Sequence, residues 1–192
     1  IWFVVRVPVL SLQMTLELTI LGCHSATPRE NKHTSSQLIE VAGNLFLIDC
    51  GEGTQMQLRK SKAKFSRIKH IFISHLHGDH FYGLIGLIST FRLLGRTTDL
   101  HIYGPVGIKE SITLQLKLAN SWTNYSLCFH ELSSTESELI YEDEGVTVST
   151  IPLDHRVYTN GFLFTTKSKL RKINTQAIEG LELEHFHFKQ LQ

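Results

Sequence analysis

An apolar run followed by a cluster of histidines occupies the middle of the chain, where residues 71–80 read IFISHLHGDH. In an extended segment, side chains two residues apart point to the same side, so His75 and His77 can share one metal ion. Asp79 and His80 then begin the next helix, where they can face a second ion. Imidazole and carboxylate groups are ligands of Zn²⁺. Two such ions, about 3.5–4 Å apart, can stabilise both the attacking and the leaving oxygen of a phosphoryl displacement.

Two other interpretations of this cluster stay open on the residues alone. The first is a polar turn whose histidines are solvated, although a helix start does not need three histidines and the spacing is rare by chance. The second concerns the metal, since the same ligand types also bind iron and manganese. Gly78 suits a metal site because a glycine lets the backbone turn sharply between strand and helix.

Length and composition indicate a single globular domain. The chain has 192 residues, of which 42% are hydrophobic and 19% charged, and its formal net charge is +1. The apolar fraction is sufficient for a core. The charge balance excludes a strongly basic nucleic-acid coat protein but allows a local basic stripe. Cys23, Cys50 and Cys128 form no CxxC pair, so we expect reduced thiols rather than a disulfide framework.

The first residues of the chain are apolar but do not predict a membrane span. The run Ile1 to Gln13 is shorter than the ~20 apolar residues that a spanning helix needs, and it lacks the features of a signal peptide. We expect Met14 to be the natural start and residues 1–13 to be a leader or a start-site artefact. Without a transmembrane or export segment, the expected location is the cytoplasm, with no membrane partner.

Hydrophobic periodicity predicts an α/β protein in which several strands follow one another directly. The predicted strands are 16–21, 36–41, 44–49, 68–74, 100–103, 126–132, 138–141, 146–152 and 162–166, and the predicted helices are 82–94 and 107–118. Thr159-Asn160-Gly161 is a turn signal between the last two strands.

Three further motifs accompany the histidine cluster. DCGEGTQ stands at residues 49–55, HIYGP at 101–105, and His155 is followed by the pair Gly161-Phe162. Together with SHLHGDHFYGLIGL at 74–87, they resemble the ribonuclease Z family, the tRNA 3′-processing endoribonucleases of the metallo-β-lactamase superfamily. The cluster alone would indicate only the superfamily.

The resemblance implies a metallo-β-lactamase-type αβ/βα sandwich. It assigns residues 14–166 to the N-terminal part of that domain, which is incomplete here. It assigns residues 167–192 to the start of an arm that binds tRNA.

The resemblance also implies five metal ligands. His75, His77 and His155 hold one zinc ion, and Asp79 and His80 hold the other. Asp79 is in addition the general base that helps to deprotonate the attacking water, a role that suits a carboxylate beside a metal. Without the resemblance, a lone histidine after a strand-like run, such as His155, is more often structural.

Asp49 and the missing ligands complete the expected site. The resemblance makes Asp49 a residue that orients the metal-binding histidines; the alternative is a carboxylate that caps the turn before a helix near Thr54. Family members carry a bridging aspartate, a further histidine and a proton-donating His/Glu pair downstream of the His155 segment. The sequence contains none of these, so we expect a fragment or a truncated protein. His185 and His187 are not expected to replace them, because no suitable carboxylate accompanies them.

Basic residues predict contacts with RNA. Lys32 lies in a loop that corresponds to the family's sensor of the tRNA 3′ end. A basic run at the expected arm contains Lys167, Lys169, Arg171 and Lys172, and a run without acidic residues contains Arg59, Lys60, Lys62, Lys64, Arg67 and Lys69. Each run can neutralise phosphates, or can form an ordinary solvated face.

The sequence therefore predicts a zinc-dependent endoribonuclease that removes the 3′ trailer of precursor tRNA. Whether the incomplete chain is itself active stays open. Two alternatives remain: a small-molecule metallohydrolase of the same superfamily, and a non-catalytic fragment that binds zinc or tRNA. Because the family is typically homodimeric, we expect a homodimer.

Overall fold

The computed structural model describes residues 4–8 and 15–167. Within them the chain forms ten β-strands and four α-helices. The strands are β1 (Val4–Pro8), β2 (Thr15–Gly22), β3 (Ser36–Val41), β4 (Asn44–Ile48), β5 (Ile68–Phe72), β6 (Leu100–Pro105), β7 (Leu127–Leu132), β8 (Leu139–Glu142), β9 (Val146–Pro152) and β10 (Asn160–Thr166). The helices are α1 (Thr54–Lys60), α2 (Gly78–Phe81), α3 (Leu84–Leu93) and α4 (Ile108–Leu118).

Several predictions fall on residues outside these ranges. They are the arm contacts of Lys169, Arg171 and Lys172, the histidines at 185 and 187, and most of the predicted leader. Among the described residues, none of the helices has the length and apolar character that crossing a bilayer requires.

The larger sheet has seven strands in chain order from β1 to β7. The pairs from β1 to β4 are antiparallel, and the pairs from β4 to β7 are parallel. Parallel neighbours need crossover connections, which are supplied by α1, by α2 with α3, and by α4. The carboxyl ends of β4 and β5 consequently meet at one edge of the sheet. The DCGEGTQ and SHLHGDH motifs follow these two ends.

Two hydrophobic cores lie on opposite faces of this sheet. Side chains alternate along each strand, so Leu47 and Ile71 pack against the helices, whereas Phe46 and Phe72 pack against a second sheet. The second sheet is antiparallel, in the order β10–β9–β8. Its residues in the shared core include Val146, Val148, Phe162 and Phe164. The molecule is thus layered as helices, large sheet and small sheet, and the predicted α/β architecture is confirmed.

The predicted elements differ from the structure at four places. The helix predicted over residues 82–94 corresponds to α3, but Asp79 and His80, which were expected to begin it, lie in the separate helix α2. The turn predicted at Thr159-Asn160-Gly161 is wrong, because Asn160 pairs with Pro152 inside the second sheet and the loop spans residues 153–159. No strand was predicted at Val4–Pro8, which pairs with β2, and no full helix was predicted at Thr54–Lys60.

Gly83 separates α2 from α3 because a close backbone approach requires a glycine there. Its N–H donates to the Cys50 carbonyl oxygen at 2.8 Å. A Cβ atom at this position would lie 2.0 Å from the Gly51 carbonyl oxygen, a contact that only backbone movement could relieve. The helix pair is therefore seated directly on the loop that follows β4.

Replacement of Gly83 tests this close approach. We expect Gly83→Ala to lower the free energy of unfolding by about 1–3 kcal/mol, as overpacking does in well-packed interiors. Gly86→Ala is the matched control, since its added Cβ would lie 3.3 Å from the end of the Gln55 side chain. A gain in helix propensity of up to about 1 kcal/mol is expected there. Urea unfolding of both variants measures the difference, and equal stability of the two would contradict the explanation.

A row of aromatic and imidazole rings crosses the parallel strands on the face that meets the second sheet. His70 stacks on His101 with ring centroids 4.9 Å apart, and Tyr141 packs edge-on against His70 at 4.5 Å. The row continues from His101 to His130, and the His101 Nδ1 atom lies 3.0 Å from the His130 Nε2 atom. Burial, together with the nearby His101 and His130, lowers the pKa of His70 to about 4. Its Nδ1 atom is buried with no hydrogen-bond partner among the described residues.

The lowered pKa of His70 predicts a loss of stability in acid. The unfolded chain binds the proton near the ordinary pKa of 6.5, whereas the folded protein binds it only near 4. The contribution of neutral His70 to the free energy of unfolding is therefore fully present above pH 6.5, and it is lost as the pH falls from 6.5 to 4. We expect His70→Phe to reduce the slope of unfolding free energy against pH in this window, by less than about 1.4 kcal/mol per pH unit because the ring is partly exposed.

Urea unfolding at several pH values measures that slope. Tyr141→Phe is the control, because it changes the same cluster without removing a group that titrates in this window. An unchanged slope in His70→Phe would show that the imidazole is not the acid-sensitive group.

Candidate metal centre

Three histidines from two separate parts of the chain come together at the edge of the large sheet. His75 and His77 follow β5, and His155 lies in the loop between β9 and β10. Their ligand nitrogen atoms all lie within 4.8 Å of one another, and His75 Nε2 is 3.0 Å from His77 Nδ1. Nitrogen atoms around a tetrahedral zinc ion are about 3.3 Å apart. The donor set therefore fits one divalent transition-metal ion.

The loop that carries His155 is fastened to the segment that carries His75. The N–H of Leu153 donates to the Thr159 carbonyl oxygen at 3.0 Å, which closes the loop. The N–H of Asn160 donates to the Ser74 carbonyl oxygen at 3.1 Å. The Tyr158 hydroxyl group accepts a hydrogen bond from the Asn160 side-chain amide at 2.9 Å. The same hydroxyl group donates to the Ser134 carbonyl oxygen, in the loop that follows β7. These contacts bring the third imidazole to the first two.

Asp79 and His80 form a second donor pair beside the three histidines. His80 Nε2 is 3.6 Å from Asp79 Oδ2, and the His80 ring centroid is 4.0 Å from that of His75. Both residues belong to α2, which begins directly after His77. The Ala26 N–H donates to Asp79 Oδ2 at 2.8 Å and so fixes the orientation of this carboxylate.

Asp49 holds the segments of the site in register. Its Oδ1 accepts the Ser74 N–H at 2.8 Å, and its Oδ2 accepts the Ser35 hydroxyl at 2.9 Å. The same Oδ2 is 2.6 Å from His80 Nδ1. When one ring N–H of a histidine donates a hydrogen bond to a carboxylate, the other ring nitrogen is oriented for binding a metal. Of the two roles considered for Asp49, these contacts favour orientation of His80.

The surroundings of the site shift the pKa values of His75 and His80 in opposite directions. Burial, aided by the neighbouring His80 and His77, lowers the pKa of His75 to about 4, so its imidazole is neutral at physiological pH. Burial alone would also lower the pKa of His80, but the hydrogen bond and charge of Asp49, with the charge of Asp79, outweigh it and raise the pKa. A cation that binds His80 therefore competes with protons more strongly than it would at an ordinary histidine.

Two glycines allow the loops of the site to pack closely. A Cβ atom on Gly51 would lie 2.2 Å from both the Asp79 carbonyl oxygen and Thr34 Oγ1. Gly78 does not adopt a left-handed conformation, so the sharp-turn explanation for it is wrong. Its added Cβ would instead meet the Tyr82 ring at 2.3 Å. A side chain at residue 78 would therefore have to displace the exposed Tyr82 ring.

The remaining predicted residues lie outside the histidine cluster. Lys32 is exposed in the loop before β3 and forms a backbone bridge with Arg29. Lys167 follows β10 and pairs with Glu142. Asn160 was predicted only as part of a turn, and Ser74 only as part of a motif. The Ser74 hydroxyl lies 3.0 Å from His75 Nδ1 and 3.2 Å from His80 Nδ1.

Removal of the charge on Asp49 tests its influence on His80. We expect Asp49→Asn to lower the pKa of His80, because the amide keeps the size of the side chain but not its charge. Binding of a divalent ion should weaken by about 10- to 100-fold, as for other residues that orient metal ligands. Histidine NMR titration and calorimetry with Zn²⁺ measure the two effects. Asp99→Asn, a surface control, should change neither, and an unchanged pKa of His80 in Asp49→Asn would refute the assignment.

Proteins named as ribonucleases are among those that this chain resembles. The chain is 54% identical over 153 residues to a protein named Ribonuclease Z from Bacteroides fragilis, a match that covers 80% of this chain and 50% of the relative. Human tRNase Z, short form (ELAC1), has a similar structure, with a TM-score of 0.72, 36% identity, and coverage of 78% of this chain and 64% of the other. The chain spans about half the length of the curated relatives it matches.

The fold itself is shared more widely. A metallo-β-lactamase fold protein from Bacillus subtilis, YhfI, superposes with a TM-score of 0.60 at 22% identity, over 78% of this chain and 57% of the other. The fold and the ribonuclease relatives both imply a divalent metal, which the histidine donor set suits.

A family model adds the last comparison. The model described as "Anti-Pycsar protein Apyc1" matches residues 16–176, which include every motif described above. The expected resemblance to ribonuclease Z and the expected metallo-β-lactamase fold are confirmed. The chain resembles ribonuclease Z proteins in sequence and structure, and it belongs to the Apyc1-type family of metallo-β-lactamase-fold proteins.

Proposed function

We propose that this chain provides the metal-binding half of an endoribonuclease that removes the 3′ trailer of precursor tRNA. The observation that carries the proposal is the donor set of His75, His77 and His155 beside Asp79 and His80, within a sequence 54% identical to a ribonuclease Z. Residues 14–166 form the corresponding part of the catalytic domain in this proposal, and residues 167–192 begin a tRNA-binding arm.

The proposed cofactor is Zn²⁺, with His75, His77 and His155 as ligands of one ion and Asp79 and His80 as ligands of another. Neutral imidazole suits zinc, and the lowered pKa of His75 keeps its ring neutral. When bound, zinc supplies a Lewis acid that lowers the pKa of water and offsets negative charge on a phosphodiester.

The residues of the chain have separate tasks in the proposed reaction. Asp79 is the catalytic base, which accepts the proton of the attacking water. The Ala26 N–H occupies its Oδ2 atom, whereas its Oδ1 atom has no hydrogen-bond partner within the described ranges and can receive that proton. Asp49 holds His80 by its Nδ1 atom, so that Nε2 faces Asp79. The raised pKa of His80 predicts that metal binding releases a proton and weakens in acid.

The proposed substrate contacts follow the basic residues. Lys32 stands near the site, since its loop also contains the Ala26 that binds Asp79. Lys167, Lys169, Arg171 and Lys172 are proposed to contact phosphates of the tRNA. A homodimer and a cytoplasmic location complete the proposal by analogy with ribonuclease Z.

The family match favours a second candidate. The Apyc1 description does not name a ribonuclease, so a small-molecule metallohydrolase remains a distinct alternative. It would act on a small phosphodiester and would show no salt-dependent binding of tRNA.

Cleavage of 3′-extended precursor tRNA in the presence of Zn²⁺ tests the leading proposal. In the enzyme whose metal-binding half this chain provides, we expect a cut after the discriminator base that leaves a 3′-hydroxyl on the tRNA. We expect His77→Ala to reduce its rate by at least about 100-fold because one imidazole ligand is removed. His130→Gln, a histidine replacement outside the cluster, should retain the rate.

Each outcome distinguishes the candidates. Hydrolysis of bis(p-nitrophenyl) phosphate without tRNA binding or cleavage would select the small-molecule hydrolase. Tight zinc binding with neither activity would leave only the non-catalytic fragment.

A further inference from the structure

Ser74 lies where the segments of the candidate metal centre meet. It stands between the end of β5 and His75, and each of its polar groups has a partner. Its N–H donates to Asp49 Oδ1 at 2.8 Å, and its carbonyl oxygen accepts the Asn160 N–H at 3.1 Å. Its hydroxyl oxygen lies 3.0 Å from His75 Nδ1 and 3.2 Å from His80 Nδ1. The backbone of this serine therefore joins segments, whereas its side chain faces two candidate ligands.

The two ring nitrogen atoms of His75 have different surroundings. Its Nε2 atom is 3.0 Å from His77 Nδ1 and so faces the three-histidine donor set. Its Nδ1 atom faces the Ser74 hydroxyl group. A neutral imidazole carries its proton on one nitrogen and a free lone pair on the other. A metal ion at Nε2 therefore requires the proton to be on Nδ1, on the side of the hydroxyl group.

The Ser74 hydroxyl oxygen is the acceptor that this proton requires. His75 is 6% exposed, and a buried N–H without an acceptor is costly. Within residues 4–8 and 15–167, the hydroxyl oxygen is the one hydrogen-bond partner of His75 Nδ1. His80 does not compete for this oxygen, because its Nδ1 proton is donated to the nearer Asp49 Oδ2 at 2.6 Å.

The other two histidines of the donor set do not need a partner from the protein. His77 is half-buried and His155 is exposed, so water can form the hydrogen bond at the ring nitrogen that does not bind the metal. His75 is the buried member of the set. Its tautomer must therefore be set by a neighbouring side chain.

A hydroxyl group suits this position better than a side chain that only donates or only accepts. It can donate to His75 Nδ1 when that nitrogen carries no proton, and it can accept when the nitrogen carries one. An alanine at residue 74 could do neither. The hydroxyl group thus allows the imidazole proton to be on Nδ1 without leaving a buried polar group unpaired.

We propose that Ser74 is a positioning residue for His75, whose Nδ1 proton its hydroxyl oxygen accepts so that Nε2 is free to bind a divalent metal ion. This inference rests on the proposed function, in which that ion is zinc. The serine acts through His75 and touches neither the metal nor the substrate. The hydroxyl group keeps its own proton throughout, and only the position of the imidazole proton is selected.

The zinc affinity of three variants tests the contribution of the hydroxyl group. Ser74→Ala keeps the backbone contacts to Asp49 and Asn160 and removes only the side-chain acceptor. We expect its dissociation constant for zinc to rise by about 10- to 100-fold, as for other residues that orient metal ligands. Ser74→Thr keeps a hydroxyl group and should bind zinc as the wild-type chain does. Ser89→Ala is the matched control, because the Ser89 hydroxyl group donates within α3 at 3.0 Å, and it should leave the affinity unchanged.

Circular dichroism melts confirm that each variant is folded. If Ser74→Ala does not fold, Ser74→Cys takes its place, since a thiol sulfur fills the space but is only a weak acceptor. The same weakening of zinc binding is expected for it.

Nitrogen NMR of the imidazole rings separates this role from a general loss of structure. In the zinc-loaded chain we expect His75 to carry its proton on Nδ1. We expect this proton to exchange with water about 10-fold faster in Ser74→Ala than in the wild-type chain, the effect of losing one hydrogen bond. The ring resonances of His130, which pairs with His101 outside the site, should not change.

The outcomes distinguish this inference from the proposed function. Weaker zinc binding and faster proton exchange in Ser74→Ala, with rescue by Ser74→Thr but no cleavage of precursor tRNA by the enzyme whose metal-binding half this chain provides, would support the role of Ser74 and refute the proposed function. Cleavage of precursor tRNA, with zinc affinity and proton exchange unchanged in Ser74→Ala, would overturn the role of Ser74 and leave the proposed function standing. A proton on Nε2 of zinc-loaded His75 would also overturn that role, and a chain that binds no zinc would overturn both.

Discussion

The carboxylate of Asp49 is the interaction on which the rest of the site depends. It accepts hydrogen bonds from the backbone after β5, from Ser35 before β3, and from His80 in α2. It does so from a left-handed backbone conformation, with φ of 54°. Aspartate adopts this conformation more readily than most residues. Three hydrogen bonds to one side chain offset the cost of that conformation and join three segments that are distant in sequence.

The parallel part of the large sheet explains why these segments meet. Strands β4 and β5 end at the same edge, so the loops after them face each other without any long excursion of the chain. Helix α2 then starts at once, and its first turn presents Asp79 and His80. Close packing of Gly51 against the backbone of Asp79 leaves the loops no freedom to separate. The positions of the candidate metal ligands thus depend on sheet topology combined with the small size of a few residues.

Local patterns predicted most of the fold and the core of the site. The alternation and length of the apolar runs located the strands from β2 to β10, because each strand buries its residues in a regular way. The His-x-His-x-Asp-His spacing brought His75 and His77 to one side, as the extended backbone after β5 requires. The break at Gly83 escaped notice because the apolar period continues through it, and only the distant Gly51 makes a glycine necessary.

Local sequence patterns could not predict the contacts between residues that are distant in the sequence. The position of His155 beside His75 depends on the hydrogen bond from the Asn160 N–H to the Ser74 carbonyl oxygen. No spacing in the sequence predicts this contact. A cavity between α1 and β2 could likewise not be predicted, since it is bounded by residues 20–24 and 31–33 together with Gln57 and Lys60. The basic run was noticed, but its members could not be told apart until Arg67 was found beside Glu40.

The division of the three histidines between two sheets has a consequence for assembly. Two of the rings belong to the larger sheet, whereas the third belongs to the smaller sheet, which packs on the aromatic layer of Phe46 and Phe72. Proximity of the three imidazoles therefore requires that the two sheets are docked. A spectroscopic probe attached at residue 155 would report how the two halves of the sandwich close on each other, and would be silent about the formation of either half.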